Sequence, residues 1–387
     1  MDTIYLDNNA TTRVAEEVFE EMKPYFTEYY GNPSSMHTFG GQVGGKLTEA
    51  RERCASLIGC DPSEITFTSG GTESDNWAIS GILAATPNRR KLITSRVEHP
   101  AVLTMCRSMA PHGYNVVEID VDEKGRLDLD QLEKEVDEDT ALVTIMWANN
   151  ETGTIFPVEK IAEIAHNSGA VFHTDAVQAV GKIPVNMAES NIDLLSVSGH
   201  KLHGPKGVGL LYVRKGVMLR PFIKGGHQES GRRAGTENTA GLIGLGKACQ
   251  LAEENIDREN REVKRLRDKL ESGLLEKCSD AFVNGDSSKR LPNTTSISFE
   301  YIEGEAILLM LDKYQICASS GSACTSGSLE PSHVLRAMGV PFTAAHGSIR
   351  FSLSIYNKEE EIDKVIEVMP PVIKRLRELS PFGRQQK

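Results

Sequence analysis

Two stretches decide the fold: VFHTDAVQAVG at residues 171–181 and DLLSVSGHKLHGPKGVGLLYV at residues 193–213. Each opens on an apolar, β-branched run that stops at a polar or glycine-rich segment, and the second closes on another such run. Runs this apolar on both alternating faces suit strands covered on both sides, because a half-exposed strand would alternate with polar residues. The same texture extends outward to about residues 65–216. EITFTS, KLITS, NVVEIDV and ALVTIMW precede these runs and bring the total to seven. Helix-like segments such as ESDNWAISGILAA, LDQLEKEVDE and VEKIAEIAHNSG lie between them. Alternation of strand and helix over this length predicts an α/β fold, a mainly parallel seven-stranded sheet flanked by helices. Ligands in such folds bind beyond the C-terminal ends of the strands, so chemistry is expected there.

Past residue 240 the texture changes. Residues 239–277 are long, charged and helix-prone, followed by a strand (TTSISFEYI), a Ser/Gly-rich loop, a second strand (SIRFSLSIY) and a final helix over 358–379. This predicts a smaller α+β C-terminal domain. The large domain is placed at 15–255, and residues 1–14 plus 256–387 form the small one, which carries the loop.

The 387 residues carry a net charge of −11 and no Lys/Arg-rich block, which argues against nucleic-acid or anionic-membrane partners. MDTIYLDNNATT lacks the basic and apolar regions of an export signal, and no apolar run reaches spanning length, so a cytoplasmic protein is expected. Seven cysteines (54, 60, 106, 249, 278, 317 and 324) are odd in number and scattered, against a disulfide framework; without a C-x-x-C pair a zinc knuckle is unsupported. Cys324 stands apart in SSGSACTSGSLEPS (319–332), where it has no apolar neighbours to join.

Four short stretches sit where strands stop. In TFTSGGTESDN (66–76), Gly70 and Gly71 lead into a helix whose first N–H groups suit a phosphate, although such a turn is often only a turn. Asp175 follows a β-branched, aromatic run, where it meets a cation or caps the next helix. Lys201 lies on a short glycine-bounded loop; it is either an ordinary exposed lysine or a partly desolvated, nucleophilic one. His99 follows a strand and opens a helix in SRVEHPAVL. Together, a phosphate cradle, a strand-end Asp, a loop Lys and a strand-end His are the parts that a pyridoxal phosphate (PLP) site needs. Nucleotide binding fits worse, with neither GxxxxGK[ST] nor a helix-opening GxGxxG. Spacing reaches a PLP enzyme and no substrate.

YLDNNATT (5–12), YGNPSSMH (30–37), FTSGGTESDN (67–76), EHPAV (98–102), NNETGT (149–154), HTDAVQ (173–178), SGHKLHGPKG (198–207), RRAGTEN (232–238) and SSGSACTSGSLEPSHVLRAMG (319–339) occur in one order along nearly the whole chain. This set resembles the motifs of the NifS/IscS-type cysteine desulfurases, PLP enzymes of fold type I; the long cysteine loop is similar to that group and differs from the shorter SufS-like loop. The resemblance implies removal of sulfur from L-cysteine, giving L-alanine and a persulfide on Cys324 that feeds iron–sulfur cluster assembly through a NifU/IscU-type scaffold. Lys201 would hold PLP covalently, Asp175 would pair with its pyridine nitrogen, and Gln178 and Asn150 would surround the ring oxygen. His99 would stack on the ring and assist proton transfers. Gly71, Thr72, Ser198 and His200 would hold the phosphate. Thr236 would reach the phosphate of another subunit, implying a homodimer, and Arg350 with Asn32 would clamp the substrate carboxylate. No resident metal is implied, although Cys324 could transiently ligate a cluster shared with a scaffold.

Three departures from the pattern are Gly225-Gly226-His227 in place of three glycines, Ser354 in place of Gly, and Trp147-Ala148 as a possible pocket lining. Two other readings compete: an aminotransferase or lyase of the same fold, which would not need Cys324, and a thiol-based metal or cluster scaffold. The loop's Ser and Gly residues would let Cys324 reach the substrate and then carry sulfur outward.

Overall fold

The computed structural model describes residues 3–320 and 331–380. In chain order its strands begin with β1 (Ile4–Tyr5), β2 (Ile65–Thr68), β3 (Lys91–Ser95), β4 (Asn115–Ile119), β5 (Thr140–Thr144), β6 (Val171–Asp175) and β7 (Leu194–Ser198). They continue with β8 (Gly209–Val213), β9 (Ala281–Asn284), β10 (Thr294–Phe299), β11 (Ile316–Cys317), β12 (Ser319–Ser320) and β13 (Ser348–Ser352). The expected seven strands form one sheet in the order β2-β8-β7-β6-β5-β3-β4. All its pairs are parallel except the two made by β8.

The exception has a chain-length cause. A parallel return needs a crossover of about a dozen residues or more, usually a helix. Residues 199–208 between β7 and β8 are too few, so β8 runs back antiparallel and that connection becomes a loop at the C-terminal end of β7. Thr68 at the end of β2 pairs with Gly209 at the start of β8, which brings the two glycine-rich loops together.

Neighbouring residues on single strands enter different cores. Leu92, Leu142, Leu194 and Leu211 pack with Trp77, Ile79 and Ile82 of the helix Gly71–Ala85. Ile93, Val143, Leu195 and Leu210 pack on the opposite face, with residues of the helices Thr38–Ile58, Val158–Asn167 and Thr239–Arg258. This two-residue split is the burial of both faces that the apolar runs required.

A second sheet, ordered β12-β13-β10-β9 and antiparallel, packs with the helices Lys264–Lys277 and Glu359–Leu379. Ile4 and Leu6 join that core, and β1 pairs in parallel with β11. Leu291, Val334, Leu335, Met338 and Ala345 pack instead with the large-sheet core. The charged stretch 239–277 is interrupted: a π-helical turn at Glu259–Val263 separates the helices Thr239–Arg258 and Lys264–Lys277.

Candidate active site

The ends of β2, β6 and β7 open on a cavity of about 350 Å³, within the usual size of a small-ligand pocket. Gly71, Thr72, His99, Asn150, Asp175, Gln178, Ser198, His200, Lys201 and Arg350 all line it. Thr236 and Asn32 are exposed and do not; the Asn32 carboxamide oxygen accepts from the Ser34 amide at 2.9 Å. Cys324 lies outside the described residues. Ala148 lines the cavity as expected, whereas Trp147 is buried in the large-sheet core.

One end is built to take an anion. Gly70 sits at φ 145°, ψ −176°, which is practically closed to other residues, and it starts the helix Gly71–Ala85 without a side-chain cap. The first-turn N–H groups are therefore left for a ligand, with the helix dipole reinforcing them. A Cβ at Gly71 would come within 2.9 Å of Val177. Ser198 and His200 flank this end, and the His200 Nδ1 pairs with the Thr11 hydroxyl at 3.1 Å. Burial, and then the Lys201, Lys206 and His99 charges, push the His200 pKa down to about 4, so it is a neutral partner.

Lys201 ends the short turn Gly199–Lys201. Its amine donates to the carbonyls of Asn9 and of Ala10, the latter at 2.7 Å. Burial and then the Arg350 cation push its pKa down to about 8, against the pull of Asp175 and Asp7. The loop lysine is thus desolvated.

Asp175 is 7% exposed, and one oxygen accepts from the Val177 amide at 2.9 Å. Burial raises its pKa, opposed by His99 and Lys201. Beside it, Asp75 is 1% exposed; its Oδ1 lies 3.7 Å from His173 Nε2 and has no hydrogen-bond partner among the described residues, and burial and then the Asp175 charge raise its pKa well above the usual carboxylate range. With Asp75 favoured as the neutral acid, an ionised Asp175 is the group on this wall that favours a cationic N–H.

His99 caps the helix Pro100–Met109, its Nδ1 accepting from the Ala101 amide at 3.1 Å. In the neutral ring the proton is then on Nε2. Burial lowers the ring's pKa, Asp175 opposes that, and Lys201 and His333 add to it. Arg350, on β13, donates to the Asn150 carbonyl at 3.0 Å and to Asp7 at 2.8 Å, while its buried Nε has no partner among the described residues. Gln178 donates to the Asn9 carbonyl at 3.0 Å, and its Oε1 has no hydrogen-bond partner among the described residues.

These groups fit pyridoxal 5′-phosphate: an anion cradle, a buried carboxylate for a pyridinium, a low-pKa amine, and polar atoms of Gln178 and Arg350 that lack a hydrogen-bond partner among the described residues. Sequence reasoning missed Asp7, Asn9, Ala10 and Asp75. The first three lie in YLDNNATT and the fourth in FTSGGTESDN, but Asn9 and Ala10 act through backbone carbonyls, which side-chain chemistry cannot reveal.

The family described as Aminotransferase class-V matches residues 4–365. A cysteine desulfurase of Trichormus azollae is 62% identical over 386 residues, covering 100% of this chain and 96% of the relative. Cysteine desulfurase NifS of Azotobacter vinelandii is 58% identical, covering 99% and 95%. Among solved structures, a NifS-like protein aligns with a TM-score of 0.91 at 42% identity, covering 97% of this chain and 100% of the other. The structure described as SspA in complex with cysteine aligns with a TM-score of 0.82 at 35% identity, covering 92% and 100%.

Proposed function

Because the chain belongs to the class V aminotransferase family, as one of its PLP-dependent cysteine desulfurases, we propose how its own residues divide the work of taking sulfur from L-cysteine. The observation that carries this reading is the meeting of Lys201, Asp175, His99 and Arg350 on one cavity. When bound, PLP supplies an electron sink next to the substrate's Cα. Gly71, Thr72, Ser198 and His200 would hold its phosphate, Asp175 would keep its ring nitrogen protonated, Gln178 and Asn150 would serve its ring oxygen, and Lys201 would carry it.

Arg350 presents a planar fork to the substrate carboxylate, oriented by Asp7 and by the Asn150 carbonyl. Lys201 Nζ, once the substrate amine has released it from its covalent link and readily deprotonated near pH 8, would take the Cα proton. His99 holds the mobile proton on Nε2, since Nδ1 is committed to the Ala101 amide. The Cys324 thiolate attacks the substrate sulfur: an S–S bond forms as the Cβ–S bond breaks, Cβ is reduced to the methyl of alanine, and the two sulfurs share the oxidation. Cysteine plus enzyme thiol thus balances alanine plus enzyme persulfide.

The persulfide sulfur then passes to an acceptor, for which we name a NifU/IscU-type scaffold in iron–sulfur cluster assembly; the likeness to a NifS protein supports this. We place the enzyme in the cytoplasm, where thiols stay reduced, and the six described cysteines are free. No helix among the described residues is long and apolar enough to cross a membrane. Two subunits would share their sites through Thr236.

Cys324→Ala tests the reading. It should keep the cofactor's visible absorbance and still bind cysteine, with sulfide release lower by roughly a hundredfold or more. Turnover at the normal rate would sink the persulfide mechanism.

A further inference from the structure

Lys201 also lines a second, smaller chamber of about 160 Å³, shared with Lys182, His203, Glu259 and Tyr356 and with the charged Arg258 and Glu17, of which Arg258 acts on Glu259 together with Lys182. Two backbone irregularities bring titratable side chains to its wall. His203 is held at φ 59°, and Glu259 opens the π-helical turn Glu259–Val263. Both features cost conformational energy, and both kinds cluster at functional sites.

The polar inventory of the chamber is incomplete in a complementary way. Lys182 is 4% exposed, and among the described residues its ammonium makes one long hydrogen bond, 3.5 Å to the Lys201 carbonyl. Its other two donors are unused among the described residues. Glu259 is also 4% exposed, and its Oε2 lacks a partner among the described residues, as does His203 Nε2. His203 Nδ1 faces the Arg13 carbonyl at 3.1 Å and so carries the ring proton, leaving Nε2 a bare acceptor. Spare donors on a buried cation therefore meet spare acceptors around a space large enough for several waters. The π turn also grips the lysine's backbone: Asn260 Nδ2 donates to the Lys182 carbonyl at 2.9 Å.

We propose that Lys182 is a positioning residue for Lys201: bridged by water to Glu259 and His203 in this chamber, its ammonium holds the Lys201 carbonyl and sets a second positive charge behind the Lys201 amine. The groups acting on that amine then sort by sign. Arg350 and Lys182 oppose its protonation, Asp175 and Asp7 favour it, and burial opposes it most. Glu259 tempers Lys182 from the far side of the chamber. The inference rests on Lys201 being the amine that carries PLP.

The test titrates the visible absorbance of the holoenzyme's lysine-linked cofactor against pH. Lys182→Met should raise the midpoint by roughly half a unit or more, and Lys182→Arg should restore it. Glu259→Gln should lower the midpoint, because the cation loses its counter-charge. An unmoved midpoint in Lys182→Met, or shifts of the same sign in Lys182→Met and Glu259→Gln, overturns the proposal. If Lys182→Met does not fold, Glu259→Gln decides: a lowered midpoint supports the role, and an unmoved or raised one overturns it. Borohydride reduction and mass spectrometry of the wild-type holoenzyme check the premise separately: an adduct on Lys201 supports it, and an adduct on another lysine removes it whatever the midpoints do.

Discussion

Glu98 shows how one buried carboxyl beside the site couples folding to pH. It is fully buried, accepts from the Ser95 hydroxyl at 2.6 Å and the Met146 amide at 3.0 Å, and its own carbonyl faces His333 Nε2 at 2.9 Å. Burial pushes its pKa up to about 8, a shift that the Ser95 and Met146 hydrogen bonds oppose. Between about pH 4.5 and 8 the folded protein keeps a proton that the unfolded chain releases, so this residue makes stability fall as pH rises. Glu98→Gln should remove that decline, on the order of 5 kcal/mol across the window. Thermal melts of both proteins from pH 5 to pH 8.5 check it; parallel melting curves would contradict the assignment. Asp7 offers a second residue-scale test, because it orients the Arg350 fork. Asp7→Asn should raise KM for cysteine severalfold with a smaller change in kcat, whereas an unchanged KM would show that Arg350 is placed by the Asn150 carbonyl alone.

At the scale of elements, two connections make the site. The turn at Gly70 frees the first turn of the helix Gly71–Ala85, and the β7–β8 loop delivers Lys201 beside it because β8 runs antiparallel. Gly70→Ala would force a side chain into an unfavourable backbone conformation at a cost of about 1–3 kcal/mol. Absorbance titration should then show cofactor affinity weakened by roughly tenfold or more, with far-UV circular dichroism preserved; wild-type affinity would show that the helix N-terminus does not carry the phosphate. The strands were legible from their apolar runs, and so was the Gly-Gly turn. The π turn at Glu259–Val263 was not, because its register depends on Asn260 reaching the Lys182 carbonyl from a distant part of the chain.

For the whole molecule, the exposed apolar side chains concentrate early in the chain. Phe26, Tyr30 and Met36 are 62%, 70% and 104% exposed, a pattern expected of a surface that another subunit covers. Sedimentation should give twice the 42.4 kDa chain mass, and Phe26→Lys with Tyr30→Lys should shift it toward monomer and weaken cofactor binding. A monomeric wild-type protein would remove the role given to Thr236. The sequence by itself determined the seven strands and the glycine turn and marked Lys201, Asp175 and His99 as candidates, because apolar periodicity and chemically unusual residues are local signals; Arg350 came only through the resemblance to a family's motifs. Only the tertiary structure decided which partners those residues keep: Asp7 on Arg350, the Asn9 and Ala10 carbonyls on Lys201, and Asp75 beside Asp175. Those pairings, and the burial that shifts their proton affinities, come from segments far apart in the chain, and no local pattern encodes a contact that exists only once the sheets and helices have closed around it.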